Sequence, residues 1–166
     1  MKKRQLNLFE VNVDLTHGGS KIKGRRKIAR PLSSKKPIHL VLKAGEPFQL
    51  LRNIKHIEQT LKKYSQRFGI VLHEYAVHAD HIHLSFTIPN RNLYCRWIRS
   101  ITSVLVKKIQ NLRWQLLPFT RIASWGRDFL KLCKYIQQNQ TEGLFLLHAH
   151  ERVDEYRNDF FANKAF

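Results

Sequence analysis

The alternation of apolar and polar residues along the chain predicts four strands. Residues 82–88 alternate strictly, which is the period-two pattern of a strand with one buried face. Residues 38–43 predict a first strand and residues 70–77 a second, which a turn at residues 79–80 would join to the alternating strand as a hairpin. Residues 119–125 predict a fourth strand.

Apolar residues at intervals of three or four predict three helices between and after these strands. The first covers residues 48–68 and ends at Gly69, the second has its apolar stripe at residues 93–109, and the third covers about 128–140, with Gly143 as its stop. The order β-α-β-β-α-β-α predicts an α+β fold with helices on one side of a mainly antiparallel sheet, as in ferredoxin-like or RRM-like palms.

Positive charge extends along the whole chain. The 166 residues contain 30 Lys and Arg against 12 Asp and Glu, which gives a net charge of +18 and a pI near 10.4. The hydrophobic content of 43% is that of a folded protein rather than of a basic disordered tail. This composition predicts a polyanionic partner, and nucleic acid is favoured.

Half of the excess charge lies in residues 1–36, where eleven Lys and Arg stand against Glu10 and Asp14. We interpret this segment as an extended basic arm that orders on a phosphate backbone, with a merely solvated tail as the alternative. The residues predicted to contact DNA are Lys21, Lys23, Arg25, Arg26, Lys27 and Arg30 in the arm, and Arg96, Arg99, Lys107 and Lys108 on the polar side of the second helix.

The length predicts one folded domain, at residues 37–147, followed by a tail or short helix at 148–166. No signal peptide, membrane span or interfacial amphipathic helix is visible in the sequence. Cys95 and Cys133 fit no zinc spacing. We therefore expect a cytoplasmic, nucleoid-associated protein without a membrane partner.

Two histidines stand on the polar side of the alternating strand. His81 and His83 are two residues apart, so their side chains lie on one face at a spacing of roughly 6.5 to 7 Å and can converge on one metal ion. A solvated or hydrogen-bonded polar face is the alternative interpretation.

Tyr135 and Asn139 lie four residues apart on the third helix, at the edge of its apolar stripe. Side chains at such an edge can face a cleft. Taken alone, the two residues also fit a boundary position and a helix end.

These motifs together resemble a known family. The sequence His81-Ile82-His83 is similar to the His-hydrophobic-His motif of the HUH endonuclease superfamily, and residues 135–144 resemble the tyrosine helix of REP-associated tyrosine transposases, related to insertion-sequence enzymes. The resemblance extends from about residue 37 to 144. It implies the HUH endonuclease fold, with the histidine strand inside a small palm-like sheet.

The resemblance also implies a function. Tyr135 would be the catalytic nucleophile that cleaves single-stranded DNA at hairpin (palindromic repeat) elements, with formation of a 5′-phosphotyrosine and a free 3′-hydroxyl. His81, His83 and Asn139 would hold a divalent ion, Mg²⁺ or Mn²⁺, of which Mn²⁺ suits imidazole ligands better. The protein would act as a monomer or a homodimer.

Two positions depart from the family pattern. Gln140 replaces the proline that usually follows the helix asparagine, although Gly143 and Leu144 are kept. His78 stands in the turn before the histidine strand, where it could be an extra metal ligand, a phosphate donor or a turn residue.

Three other functions fit parts of the sequence. A catalytically inactive, basic nucleic-acid-binding module would not need Tyr135. A two-histidine phosphoesterase fits His83 and Ser85 but lacks a second His-x-Ser/Thr element. A replication initiator shares the chemistry but usually belongs to a longer chain.

Overall fold

The fold is built on one five-stranded antiparallel sheet. The computed structural model describes residues 15–22 and 29–162, with side chains for residues 15–20, 29–150 and 152. Its strands are β1 (Thr16–His17), β2 (Ile38–Lys43), β3 (Val71–Val77), β4 (His81–Thr87) and β5 (Phe119–Ile122). Its helices are α1 (Gln49–Arg52), α2 (Ile54–Phe68), α3 (Arg91–Lys108) and α4 (Arg127–Ala162), with a 3₁₀ turn at Gly19–Ile22. The order of strands across the sheet is β1-β5-β2-β4-β3, and the predicted α+β class is confirmed.

Alternation along β2 and β4 gives the sheet two chemically different faces. One face is apolar and buried, and consists of Ile38, Leu40, Leu42, Ile82, Leu84 and Phe86. The apolar stripes of α2 and α3 pack in the same cluster and complete the main core, with Ile57, Leu61, Trp97 and Ile101. The other face of these two strands, the histidine face, carries His39, His81 and His83.

The helix predicted at residues 48–68 is divided into α1 and α2, so this prediction is wrong in detail. The backbone N–H of Asn53 donates to the Leu50 carbonyl at 3.1 Å, and its side-chain Nδ2 donates to the Gln49 carbonyl at 2.9 Å. These bonds close a short first helix, and α2 begins at the next residue. Its end is as predicted, because Gly69 adopts a left-handed conformation with φ of 64°.

The last helix, α4, packs on the histidine face. Leu132 and Ile136 of α4 cluster with Ala76 and Ala123, and Ala76 lies directly opposite His83 in the β3–β4 ladder. The prediction that all helices lie on one side of the sheet is therefore wrong for α4. The small side chains of the two alanines let a helix pack on a face that otherwise carries polar residues.

The predicted end of α4 is also wrong, because the helix continues through Gly143 to Ala162. A Cβ atom at Gly143 would lie 2.3 Å from the carbonyl oxygen of Val77, so glycine is required here for close approach to β3 and not for a helix stop. Residues 148–162, predicted as a tail or short helix, continue α4. The division of the chain into arm, domain and tail stays a prediction.

A substitution of Gly143 by alanine should reverse the usual effect of this exchange. In a helix interior, Gly→Ala normally stabilises by about 1 kcal/mol. Here we expect the free energy of unfolding to fall by about 1–3 kcal/mol, because the methyl group would press α4 away from the Val77 backbone. Urea denaturation measures the difference, with Thr141→Ala on the exposed side of the same helix turn as a control. A stabilised Gly143→Ala protein would contradict the packing described here.

The segment before β2 is tied to the sheet. β1 pairs with β5, with Thr16 opposite Arg121. The Arg30 guanidinium donates from Nη1 to the Pro118 carbonyl and to Thr120 Oγ1, both at 2.7 Å. Within residues 15–22 and 29–162, no helix combines the length and hydropathy of a membrane span.

Candidate functional site

Histidines from two neighbouring strands meet on the face of the sheet that α2 and α3 leave uncovered. His39 pairs with Ser85 and Val41 pairs with His83, so His39 and His83 are diagonal neighbours. Their rings stack with centroids 5.3 Å apart at 16°. His39 Nε2 and His83 Nδ1 are 3.0 Å apart and share one hydrogen bond. This bond fixes one side of the His83 imidazole and leaves its Nε2 for another partner.

Burial keeps both imidazoles neutral. His83 is 4% exposed and His39 is 7% exposed. Burial, together with the neighbouring histidines, lowers the pKa of His83 to about 3, and burial together with the Arg121 charge lowers the pKa of His39 to about 4. Nε2 of His83 is buried without a hydrogen-bond partner in the described part of the chain. A neutral imidazole with an unpartnered nitrogen meets the requirement of a metal ligand.

A carboxylate orients the other histidine of the pair. His81 Nδ1 lies 2.6 Å from Asp80 Oδ1. Burial raises the pKa of the Asp80 carboxyl, but the hydrogen bond and charge of His81, with the Lys43 charge, outweigh it and hold this pKa below its usual value. A carboxylate on one ring nitrogen fixes the tautomer and leaves the opposite nitrogen as a ligand, as in many metal sites. The rings of His81 and His83 are 4.6 Å apart at 88°.

His78 offers a second ligand combination. Its ring stacks on His81 with centroids 4.7 Å apart, and its Nδ1 lies 3.9 Å from Asp80 Oδ1. One possible ligand atom from each of His78, Asp80 and His81 lies within 4.8 Å of the others. Two ligand combinations are therefore available: the three residues of this turn, and the strand pair His81 and His83, whose ring centroids are 4.6 Å apart.

Tyr135 of α4 lies over the histidines. Its side chain is 46% exposed, and its ring centroid is 5.3 Å from that of His83 and 6.2 Å from that of His39. Both contacts are edge-on, at 82° and 83°. The phenol thus shares one surface with the imidazoles and remains open to solvent, which a nucleophile for a large substrate needs.

Asn139 lies one helical turn beyond Tyr135. Its Nδ2 donates to the Tyr135 backbone carbonyl at 2.8 Å, so the amide oxygen is the end that a metal ion could use. This bond lies along α4, and the predicted role of Asn139 as a metal ligand stays a prediction.

Two neighbouring side chains hold α4 in register with β3. Gln140 Oε1 accepts from the Val77 backbone N–H at 2.9 Å, and Gln137 Nε2 donates to Glu74 at 2.9 Å. Gln140, which departs from the family pattern, therefore anchors the tyrosine helix next to the turn that carries His78. With the close approach at Gly143, these contacts fix where Tyr135 lies above the histidines.

Comparison with known proteins adds the family. The sequence profile of IS200-like transposases matches residues 33–139, a range that contains His39, His83 and Tyr135. The chain belongs to the IS200-like transposase family. None of the curated proteins matches it.

Solved structures resemble this transposase, and the one with a TM-score above 0.5 shows the same fold. One is a REP-associated tyrosine transposase bound to a REP hairpin, with a TM-score of 0.56 and 13% identity over 70% of this chain and 73% of that one. Another is a candidate transposase from Deinococcus radiodurans, with a TM-score of 0.37 and 14% identity over 69% of this chain and 98% of that one.

The basic residues predicted to bind DNA are not gathered at the histidine face of the transposase. Arg96, Arg99, Lys107 and Lys108 are exposed on α3, which packs on the opposite face of the sheet. Arg30 uses its guanidinium inside the fold. Lys23, Arg25, Arg26 and Lys27, and the side chain of Lys21, lie outside the described residues. Contact of these residues with DNA stays a prediction.

Two residues of the site were missed in the sequence. His39 occupies the polar phase of the first strand, so alternation along residues 38–43 could have placed it on the face of His83. Asp80 precedes a candidate ligand directly, and a carboxylate at that position is a recognised partner for a metal-binding histidine.

The transposase should lose stability as the pH falls, when a chelator is present. The folded-state pKa values of His83 and His39, about 3 and about 4, lie below the ordinary 6.5. Between these folded-state pKa values and pH 6.5, the unfolded chain therefore binds more protons than the folded chain. Stability is retained above pH 6.5 and declines below it. Each histidine contributes up to about 1.4 kcal/mol per pH unit.

Urea unfolding between about pH 7 and about pH 5 measures this slope. His39→Gln keeps a polar side chain next to His83 but cannot titrate, and should reduce the slope by up to about 1.4 kcal/mol per pH unit. A slope unchanged by this substitution would show that His39 does not titrate in the manner described.

Proposed function

We propose that this transposase cleaves and rejoins single-stranded DNA at hairpin elements through a 5′-phosphotyrosine intermediate. The observation that carries the proposal is the position of the Tyr135 ring, 5.3 Å from that of His83, whose buried Nε2 has no partner among the described residues. The proposed nucleophile and the proposed metal ligands thus lie on one face of the sheet. Family membership supports the same reaction class.

The residues have distinct roles in the proposed reaction. The Tyr135 oxygen attacks the scissile phosphorus, and a new phosphorus–oxygen bond forms as the bond to the 3′ oxygen breaks. The phenol proton is released and the departing 3′ oxygen gains one, so the products are a 5′-phosphotyrosine and a free 3′-hydroxyl. Attack by a 3′-hydroxyl on the phosphotyrosine reverses these bond changes and rejoins a strand.

A phenol is a weak nucleophile and needs an activated target. We assign His81, His83 and the Asn139 amide oxygen to a divalent ion that, when bound, would polarise the scissile phosphate and offset its developing charge. Mn²⁺ suits two imidazoles better than Mg²⁺ does. His78 could complete this set or replace His83 in it, since its ligand atom lies near those of Asp80 and His81.

His39 and Asp80 act as positioning residues in this proposal. Each contacts the Nδ1 atom of one ligand histidine, at 3.0 Å for His83 and 2.6 Å for His81. Such partners hold the imidazole ring and its tautomer, and their loss typically reduces metal affinity about 10- to 100-fold.

The proposed substrate rests on analogy with a relative, and the proposed arrangement of subunits rests on the geometry of the site. The relative of similar fold with a bound REP hairpin supports hairpin DNA as the partner. The contact of Tyr135 with histidines of its own chain supports cleavage within one subunit, whether the protein is a monomer or a homodimer. A cytoplasmic, nucleoid-associated location stays a prediction.

The test is a covalent adduct. Purified protein is incubated with single-stranded hairpins from the flanks of its own gene and with Mn²⁺, Mg²⁺ or EDTA, and the products are separated on a denaturing gel. We expect a metal-dependent protein–DNA adduct and a shortened strand that ends in a 3′-hydroxyl. Hairpin binding without an adduct in any metal would favour the alternative, an inactive nucleic-acid-binding module.

A further inference from the structure

An exposed aromatic side chain lies just before the tyrosine helix, ten residues before Tyr135 in the sequence. Trp125 lies in the short connection between β5 and α4, and its side chain is 51% exposed. Ala123, two residues earlier, is buried together with Leu132 and Ile136 of α4. The Trp125 ring contacts His73 of β3 and Phe129 of α4, so it lies at the first turn of the helix that carries Tyr135.

Contacts within the chain hold this indole in one position, although about half of the side chain is exposed to solvent. Its Nε1 donates to the Lys35 backbone carbonyl at 2.8 Å. Its ring meets Phe129 edge-on, with centroids 4.9 Å apart, and meets His73 at 5.7 Å. The indole donor is thus satisfied within the chain, and the exposed part of the ring offers an apolar surface without an unmet polar group.

The charge around Trp125 suits a polyanion. Lys35, Lys36, Arg127 and Lys131 are exposed on the segments that flank it. The neighbouring carboxylate, Asp128, accepts from the Ser124 backbone N–H at 2.8 Å and from Arg121 at 3.1 Å. Aromatic side chains set among cations are the common device for binding unpaired nucleotides, because every base has a face that can stack.

The rise of α4 sets the spacing between its first residue and the proposed nucleophile. Tyr135 is eight residues beyond the first residue of α4, which corresponds to about 12 Å along the helix axis. α4 thus connects the segment that carries Trp125 to Tyr135, and Arg121 lies opposite His39 in the β2–β5 ladder.

We propose that Trp125 is a stacking platform for an unpaired base of the single-stranded DNA that leads to Tyr135. This inference rests on the proposed function, since it assumes that such a strand reaches the phenol. It adds a binding subsite that involves neither the metal ligands nor the predicted basic residues. A purely structural role for Trp125, packing against Phe129, predicts an effect on stability and none on binding.

Intrinsic fluorescence tests the platform directly. Trp97 is fully buried and Trp114 is partly buried, so the exposed Trp125 should dominate any change on binding. We expect oligothymidylate, added without metal, to quench the emission of the wild-type protein, and a blunt duplex of equal length to leave it almost unchanged. In Trp125→Phe the quenching should be lost while affinity stays within a few-fold of wild type. Quenching that persists in Trp125→Phe would overturn the proposal.

Affinity measurements give a second, independent readout. Trp125→Ala should weaken oligothymidylate binding about 5- to 100-fold. The factor should change little as salt is raised, because stacking does not release counterions as phosphate contacts do. Phe145→Ala is the matched control, since Phe145 is an aromatic residue of α4 that is 67% exposed far from the start of the helix. Equal losses for the two variants, or no loss for Trp125→Ala with an unchanged melting temperature, would overturn the proposal.

These outcomes are separable from the proposed cleavage. Quenching and affinity are measured without metal, so they report the platform even if no adduct ever forms. Conversely, an adduct formed by wild-type protein together with unimpaired binding by Trp125→Ala would retain the cleavage proposal and remove the platform.

Discussion

Tyr135→Phe should abolish formation of the covalent adduct and lower strand cleavage by at least about 10⁴-fold, because phenylalanine has no nucleophilic oxygen. The fold should not change. The phenylalanine ring can keep the edge-on contacts with His83 and His39, and no described hydrogen bond of the Tyr135 hydroxyl is lost. Affinity for hairpin DNA should therefore stay within about two-fold of the wild-type affinity.

Tyr64→Phe is the matched control for this substitution. Tyr64 is a partly buried tyrosine of α2, stacked on Phe68 at 6.4 Å, and lies with the main core on the other side of the sheet. Its variant should cleave as the wild type does. If Tyr135→Phe still forms an adduct while both proteins are folded, another residue is the nucleophile.

His83→Ala should reduce metal-dependent cleavage by about 10²- to 10⁴-fold, the range expected when a metal ion that stabilises transition-state charge is lost. It should also weaken Mn²⁺ binding in the absence of DNA, which the electron paramagnetic resonance signal of free Mn²⁺ measures. The reason is the buried Nε2 of His83, which has no other partner among the described residues.

Two further variants interpret this result. His56→Ala removes an exposed histidine of α2 and should leave both Mn²⁺ binding and cleavage unchanged. His78→Ala distinguishes the two ligand sets. If it abolishes Mn²⁺ binding and His83→Ala does not, the ion is held by His78, Asp80 and His81, and the assignment of His83 is wrong.

Much of this arrangement could be predicted from local pattern. The alternation in β4 placed His81 and His83 on one face, and helical spacing placed Tyr135 and Asn139 on one side of α4. Both inferences need only the periods of regular backbone, which tertiary packing does not change.

The remaining features of the site depend on tertiary packing, which the identity of a single residue does not reveal. Which face of the sheet α4 covers was decided by Ala76 and Ala123, whose small size is visible only once the neighbouring strands are aligned. Helical spacing predicts a stop at Gly143, whereas the close approach to the Val77 carbonyl involves another part of the chain. The bond between His39 and His83 joins residues 44 positions apart, so the spacing of a motif could not show it.

The most direct test of the central claim is to identify the amino acid that becomes linked to DNA. The adduct formed with a hairpin and Mn²⁺ is digested with protease and nuclease, and the modified peptide is sequenced by mass spectrometry. We predict a nucleotide attached through its 5′ phosphate to Tyr135. A nucleotide on any other residue, or linkage through a 3′ phosphate, would contradict the account.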